Sequence, residues 1–66
     1  MLTNNVRQIR ISYDLTQEEL AERVSCTRQT INSIEKDRYN PSLELALKIA
    51  DVLQTDINIL FQLKKE

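Results

Sequence analysis

Between residues 28 and 36, polar side chains recur at a spacing that places them on one face of a helix. Five of them stand at i, i+1, i+4, i+5 and i+8: Arg28, Gln29, Asn32, Ser33 and Lys36. The chemistry open to these residue types is directional hydrogen bonding. Arg can pair with guanine O6 and N7, and Gln or Asn with the donor and acceptor of adenine. The alternative is an ordinary solvated face, which most amphipathic helices have.

Two short apolar patterns determine where this face points. The first has apolar residues at i, i+1 and i+4: Leu20, Ala21 and Val24. The second is the pair Ile31 and Ile34, opposite the polar face. Because only residues 25–27 lie between the patterns, the two helices must meet at a steep angle. Two helices at roughly 90–120° joined by so short a turn form a helix-turn-helix, whose second helix enters the DNA major groove.

The composition allows one small folded domain over residues 1–66. Hydrophobic residues make up 41% of the chain, which favours a folded domain over a disordered segment. A chain of this length buries only about 60% of the surface that it exposes when unfolded, so its stability margin is small. The net charge of −1 does not favour binding to DNA by charge alone, since such proteins are usually basic. The prediction of DNA binding therefore depends on the helical pattern and not on the composition.

Catalysis, metal binding and membrane insertion are all disfavoured. The chain has no His and a single Cys, so it cannot form an intrachain disulfide or assemble a Cys/His zinc site. Cys26 is interpreted as a small core residue. No nucleophile–base pair is recognisable, and we expect neither enzymatic activity nor a cofactor. No apolar run approaches the 18 or so residues that span a bilayer, and the N-terminus lacks a signal-peptide core, so we expect a cytoplasmic protein.

The apolar periodicity predicts five helices, at about 4–12, 17–24, 28–36, 43–53 and 57–63. Thr16 is the predicted N-cap of the second helix, and Glu19 completes a capping box. The predicted caps of the third, fourth and fifth helices are Thr27, Ser42 and Asp56. No segment alternates long enough to predict a strand.

The last two helices are unusually apolar. The fourth has one narrow polar stripe, which predicts a helix buried nearly all round, either in the core or against a partner. The fifth has an inward stripe of Ile57, Leu60 and Phe61. Ile59 and Leu63 form a second stripe, which is either part of a broad core face or, with Val52, a dimer contact.

From about Val6 to Phe61 the chain resembles the Cro- and phage-repressor-like helix-turn-helix family of the xenobiotic-response-element (XRE) type. The resemblance rests on TQEELAERV, CTRQTINSIEK, NPSLELALKIA and a closing ILF. It implies an all-α, compact five-helix, lambda-repressor-like domain with the helix-turn-helix at about 17–36. The family commonly has Gly where Ser25, Asp37 and Gln54 stand, just past helix ends. This chain has no Gly, so left-handed geometry there costs about 1–2 kcal/mol, with Asp the most tolerant residue.

The resemblance also implies roles for individual residues. The expected base-reading residues are Arg28, Gln29, Ser33, Thr30 and Asn32. Among the expected phosphate contacts, the resemblance implies Gln17. The others are expected from their place around and beyond the third helix: Thr27, Lys36, Arg38, Tyr39 and Asn40, although Tyr39 could instead pack under its loop, and Arg7 on the first helix. In relatives, residues matching Arg10 and Glu35 form a structural ion pair between the first and third helices.

These features predict a small transcriptional regulator that binds double-stranded DNA. The expected form is a homodimeric repressor on an inverted-repeat operator, with recognition helices roughly 34 Å apart and no small-molecule ligand. The alternative is a protein-interaction module, such as the antitoxin of a toxin–antitoxin pair, which the charge of −1 slightly favours. A purely structural helical bundle would leave the polar face of the third helix unexplained.

Overall fold

The computed structural model describes residues 1–65, and it is mostly helical. Five helices lie between two short strands: β1 (Leu2–Asn4), α1 (Val6–Ser12), α2 (Gln17–Arg23), α3 (Arg28–Glu35), α4 (Leu43–Val52), α5 (Ile57–Leu60) and β2 (Phe61–Leu63). The predicted five-helix fold, with α2 and α3 as a helix-turn-helix, is confirmed. The two strands were not predicted.

The predicted caps all begin their helices. Thr16 Oγ1 accepts from the Glu19 N–H at 3.0 Å, and Glu19 Oε1 accepts from the Thr16 N–H at 2.9 Å, so the capping box of α2 is complete. Hydrogen bonding to Thr16 holds the pKa of the Glu19 carboxyl below its usual value. The backbone of Thr16 makes the larger contribution and the Thr16 side chain the smaller one. Single caps at α3, α4 and α5 come from Thr27, Ser42 and Asp56. Each cap satisfies an N–H group that the helix itself leaves unpaired.

The core lies where α2 and α3 pack against α1, α4 and α5. Its fully buried large side chains are Val6, Leu20, Val24, Ile31, Ile34, Ile49, Leu53 and Leu60. Burying such a side chain contributes about 1.5–3 kcal/mol. Leu15, in the connection between α1 and α2, is buried in the same cluster. The core therefore positions α3 with Ile31 and Ile34 inward.

Four non-glycine residues have left-handed backbones, each just after a helix. Their φ angles are 57° at Asp14, 60° at Ser25, 58° at Asp37 and 47° at Gln54. At the last three of these positions, members of the family commonly have Gly. The left-handed backbone at Asp14 was not predicted from the resemblance to the family.

The fifth helix is shorter than predicted. The prediction of a helix over 57–63 is wrong, because Phe61–Leu63 pairs antiparallel with Leu2–Asn4. The register joins Asn4 to Phe61 and Leu2 to Leu63. The same pairing moves the start of α1 from about residue 4 to Val6. A partner strand more than fifty residues away leaves no local trace in so short a segment.

The fourth helix is less buried than its composition predicts. Ala46, Ile49 and Ala50 are buried, but Leu43 is 72% exposed and Leu47 is half exposed. The core alone therefore does not bury α4 nearly all round, since the Leu43–Leu47 side faces outward. Burial of that side against a partner stays a prediction. Among residues 1–65, no helix has both the length and the apolar character needed to cross a membrane.

Candidate nucleic-acid interface

The outer face of α3 carries the predicted base-reading residues. Arg28 and Gln29 are exposed at its first turn, while Thr30, Asn32 and Ser33 are half-buried along it. Two shallow concave surfaces lie on this side of the molecule. One is lined by Arg28, Gln29, Asn32 and Lys36, and the other by Thr27, Gln29, Thr30, Ser33, Arg38 and Tyr39. The structure thus brings these side chains together on one surface.

A third concave surface runs from α3 towards the start of α2. It is lined by Arg7, Arg10, Thr16, Gln17, Glu18, Arg28, Asn32, Glu35 and Lys36. Arg7, Arg28 and Lys36 supply exposed positive charge there, and Glu18 adds one exposed negative charge. Asn40 is exposed in the loop that follows Tyr39.

Arg10 and Glu35, which line this surface, link α1 to α3. Arg10 Nε lies 2.7 Å from Glu35 Oε2, and Arg10 Nη2 donates to Glu35 Oε1 at 3.1 Å. Arg10 Nη1 donates to the Leu15 carbonyl at 2.7 Å. The two side chains are only 10% and 3% exposed, respectively. A paired, bidentate geometry is what allows such charges to be buried.

Gln17 joins this network from α2. Its Nε2 donates to Glu35 Oε1 at 3.0 Å and to Asn32 Oδ1 at 3.2 Å. Both hydrogens of the Gln17 amide are therefore used inside the protein. The network ties the first residue of α2 to the middle and the end of α3, so it sets how α3 is presented.

Comparison with known proteins identifies the family. The sequence profile of the helix-turn-helix family matches residues 6–60. The chain belongs to the XRE-type helix-turn-helix family. It is 48% identical over 60 residues to an uncharacterised HTH-type transcriptional regulator of Archaeoglobus fulgidus, covering 91% of this chain and 86% of that protein. It is 38% identical over 53 residues to the immunity repressor protein of Bacillus phage phi105, covering 80% of this chain and 37% of the repressor.

The fold has a counterpart among solved structures. A putative DNA-binding protein from Bacteroides fragilis superposes with a TM-score of 0.85 at 26% identity, covering 94% of this chain and all of that one. As a member of this family, the protein is a DNA-binding transcription regulator and not an enzyme.

The sequence did not predict the role of Asn4 in this helix-turn-helix domain. Asn4 Nδ2 donates to the Ile34 carbonyl at 2.8 Å and to Asp37 Oδ1 at 3.0 Å, and Asn4 Oδ1 accepts from the Val6 N–H at 3.1 Å. One side chain therefore accepts from the first N–H of α1 and ties β1 to the end of α3. An Asn two residues before an apolar helix is a recognisable local signal, but its link to α3 is not.

The residues proposed for a dimer contact lie on elements other than α3. Ile59 on α5 is 56% exposed and Leu63 on β2 is 75% exposed, while Val52 is half-buried and packs on the core. Cys26 is also half-buried against the core, and its burial raises the pKa of its thiol. A raised pKa keeps the thiol protonated and unreactive.

Proposed function

We propose that this protein represses transcription as a homodimer on an inverted-repeat operator, with one α3 in each of two successive major grooves. The observation that carries the proposal is the outward face of α3, where Arg28 and Gln29 stand exposed at the first turn. Residues near the start of a recognition helix are those that contact base edges. Similarity to a phage immunity repressor supports repression as the outcome. Binding to genomic DNA implies the cytoplasm as its location in a prokaryotic cell.

In this proposal, base edges are read by Arg28, Gln29, Thr30, Asn32 and Ser33. Arg28 suits guanine, because its guanidinium donates two parallel hydrogen bonds to O6 and N7. The Thr30 methyl suits contact with a thymine methyl. Thr30 Oγ1 lies 3.0 Å from Thr27 Oγ1, so the two hydroxyl groups share a hydrogen bond.

Phosphate contacts are assigned to residues around this face: Thr27, Lys36, Arg38, Tyr39, Asn40 and Gln17. Lys36 and Arg38 supply the charge, and Tyr39 and Asn40 supply side-chain donors from the loop. For Gln17 the donor is its backbone N–H, because both hydrogens of its side chain are used by Asn32 and Glu35.

The dimer is assigned to Ile59 and Leu63, with Val52 beside them. In the part of the chain that the structure describes, β2 pairs only with β1, so its other edge is an open template for a further strand. An antiparallel β2–β2 pair about a two-fold axis is self-complementary, and it would cover Leu63 of both copies. A two-fold protein matches a palindromic operator.

Selection from random DNA tests the DNA contacts. Wild type should enrich an inverted repeat whose half-sites are about 10 base pairs apart. Arg28→Ala should lose roughly 1–3 kcal/mol of discrimination at one symmetric position of that repeat. Lys48→Ala removes one positive charge from α4 and should leave the motif unchanged. If wild type enriches no motif, sequence-specific binding is excluded.

Sedimentation at micromolar concentration tests the dimer separately. Leu63→Lys should give monomers, because it places a charge in the proposed interface. Leu43→Lys is a matched control, since Leu43 is as exposed as Leu63 but lies at the start of α4. A wild-type protein that stays monomeric, or equal effects of the two substitutions, contradicts this interface.

A further inference from the structure

We propose that Asn4 is a positioning residue for DNA binding, because it holds in place the loop that follows α3. The inference rests on the proposed function, in which Arg38, Tyr39 and Asn40 of this loop contact phosphates. It makes β1, a strand outside the helix-turn-helix, a support of the DNA interface. The loop comprises residues 37–41.

The end of α3 sets the direction in which this loop leaves the helix. Asp37 has a left-handed backbone, with a φ of 58°. Its N–H donates to the Ile34 carbonyl at 3.0 Å, and the Arg38 N–H donates to the Ser33 carbonyl at 2.9 Å. A left-handed residue with this pair of bonds is a Schellman motif. The motif determines the path of the backbone as far as Arg38.

Beyond Arg38, few bonds hold the loop. Within residues 1–65, no backbone hydrogen bond joins residues 39–41 to another residue, and Tyr39 and Asn40 are exposed. The next hydrogen-bonded point is Ser42, whose side chain accepts from the first turn of α4. The position of the loop therefore depends on how the end of α3 is held.

Asn4 holds that end from β1. Its Nδ2 donates to the Ile34 carbonyl at 2.8 Å and to Asp37 Oδ1 at 3.0 Å. The first acceptor belongs to the last turn of α3 and the second to the first residue of the loop. Asn4 Oδ1 accepts from the Val6 N–H at 3.1 Å. One side chain thus joins the start of α1 to both sides of the junction between α3 and the loop.

The backbone at Asn4 is itself fixed by its neighbours. Asn4 pairs with Phe61 of β2 in the antiparallel ladder. The next residue, Asn5, donates through its N–H to the carbonyl of Leu60 at 2.9 Å, and Leu60 is fully buried. Asn4 therefore ties the loop to a part of the domain that is anchored in the core.

The contact also engages a negative charge at a sensitive place. Asp37 stands in sequence between Lys36 and Arg38, the two cations assigned to phosphates. Among residues 1–65, neither cation forms an ion pair with Asp37, whose carboxylate is hydrogen-bonded to the neutral amide of Asn4. Loss of Asn4 would leave this carboxylate without that partner, next to the charges that bind DNA.

DNA binding by Asn4→Asp tests the role. The substitution keeps an acceptor for the Val6 N–H but replaces the two donors by a carboxylate, which repels Asp37. Fluorescence anisotropy at several salt concentrations is measured on a duplex carrying the motif that wild type selects from random DNA, and on a scrambled duplex. Both affinities should fall by about fivefold, the effect of one lost hydrogen bond. The slope of log K against log salt should fall by about 0.9, because Arg38 no longer neutralises its phosphate.

The bases that Asn4→Asp selects from random DNA should stay those of wild type. The reason is that the proposed base-reading residues lie on α3 itself, before the junction that Asn4 holds. This readout distinguishes a displaced loop from a general disturbance of the recognition helix.

Two controls isolate the contact. Gln8→Glu adds the same negative charge at an exposed position of α1 and should change affinity and slope much less. The double variant Asn4→Asp/Asp37→Asn exchanges the two side chains, so an amide at residue 37 donates to a carboxylate at residue 4. Its net charge equals that of wild type, and Asn tolerates the left-handed backbone. It should recover most of both losses.

The outcomes separate this inference from the proposed function. If wild type selects no motif, the proposed function fails and the inference fails with it. If wild type selects an inverted repeat and Asn4→Asp binds both duplexes with wild-type affinity, only the inference is overturned. The same holds if Asn4→Asp changes the preferred bases, if the double variant recovers nothing, or if Gln8→Glu weakens binding equally.

Asn4→Ala keeps the inference testable if Asn4→Asp does not fold. It removes the same donors without adding a charge, and it should weaken binding to both duplexes and lower the slope. Thr3→Ala is a matched control in β1, because it removes the bond from Thr3 Oγ1 to the Gln62 carbonyl and touches neither α3 nor the loop. Urea unfolding checks that both variants are folded, and equal effects of the two on binding would overturn the inference.

Discussion

Ser25, in the turn between α2 and α3, has a left-handed backbone although it is not glycine, the residue that adopts this geometry most easily. Its φ of 60° costs an L-residue about 1–2 kcal/mol, and its exposed side chain makes no hydrogen bond within residues 1–65 that would offset this. Ser25→Gly removes the strain but adds freedom to the unfolded chain, worth about 0.4–1 kcal/mol. We expect a net gain of about 0.5–1 kcal/mol in the free energy of unfolding by urea. A loss of stability would contradict this account of the turn.

Gln54 and Asp37 have the same backbone geometry but use their side chains. Gln54 Nε2 donates to the Asp51 carbonyl at 2.6 Å, and Asp37 Oδ1 accepts from Asn4 Nδ2 at 3.0 Å. Each bond contributes about 0.5–1.5 kcal/mol, which Gly would lose. We expect Gln54→Gly to stabilise less than Ser25→Gly, and Asp37→Gly to destabilise. The same urea titrations check the ranking, and equal effects at the three sites would contradict it.

Single residues were predictable where their role is local. Thr16 and Thr27 were identified as caps from their position before an apolar pattern, and Ser25 from the glycine that relatives have there. The amide orientation of Asn32 was not predictable, because it depends on Gln17, Glu35 and Arg10 meeting in space. These residues come from three helices, and no spacing in the sequence encodes which atom of an amide faces which neighbour.

The ion pair between α1 and α3 stabilises the fold mainly because losing one partner would leave the other as an unpaired buried charge. Arg10→Met leaves the Glu35 carboxylate, whose side chain is only 3% exposed, without its positive partner. This should lower the free energy of unfolding by about 3–5 kcal/mol. A small domain has little more than that in total. The double variant Arg10→Met/Glu35→Leu removes both charges and should recover most of the loss. Urea unfolding of the variants measures both, and a double variant as unstable as the single one would contradict the argument.

The capping box of α2 should make stability depend on pH. Because the folded pKa of Glu19 is lowered, the ionised carboxylate stabilises the fold above its unfolded pKa of about 4.3. This contribution is lost as the pH falls through the folded pKa. Glu19→Gln keeps an acceptor for the Thr16 N–H but carries no charge. The melting temperature of wild type should therefore exceed that of Glu19→Gln at pH 7, and the difference should vanish in acid.

A matched substitution on α2 checks the cause. Glu22→Gln removes the same charge from the same helix without touching the cap. Its difference from wild type should change less with pH than that of Glu19→Gln. An equal change would assign the effect to the overall charge of α2 and not to the cap.

Helices were predicted better than strands for a physical reason. The periodicity of Leu20 with Val24, and of Ile31 with Ile34, spans whole turns, so α2 and α3 could be located from sequence. The strands have three residues each, and pairing between the two ends of the chain determines them. Leu63 therefore extended the apolar pattern of α5 in the sequence, although in the structure it belongs to β2.

Over the whole molecule, charge is distributed unevenly, and this reconciles DNA binding with a net charge of −1. The surface between α1, α2 and α3 is lined by four positive side chains, Arg7, Arg10, Arg28 and Lys36, against the two negative ones of Glu18 and Glu35, so it carries a local excess of positive charge. On α4, Glu44 and Asp51 outnumber Lys48. Local charge at the contact, more than the net charge, determines how many counterions DNA releases.

The salt dependence of binding should therefore separate the two kinds of contact. If Lys36 neutralises one phosphate, Lys36→Ala should weaken binding to all sequences and lower the slope of log K against log salt by about 0.9. Arg28→Ala should instead reduce discrimination between operator and non-operator DNA, because a base edge carries no counterion. Lys48→Ala, with its charge beside Glu44 on α4, should change neither quantity. Fluorescence anisotropy from 50 to 300 mM salt measures the slopes, and an equal loss of slope in Lys36→Ala and Lys48→Ala would show that binding responds only to net charge.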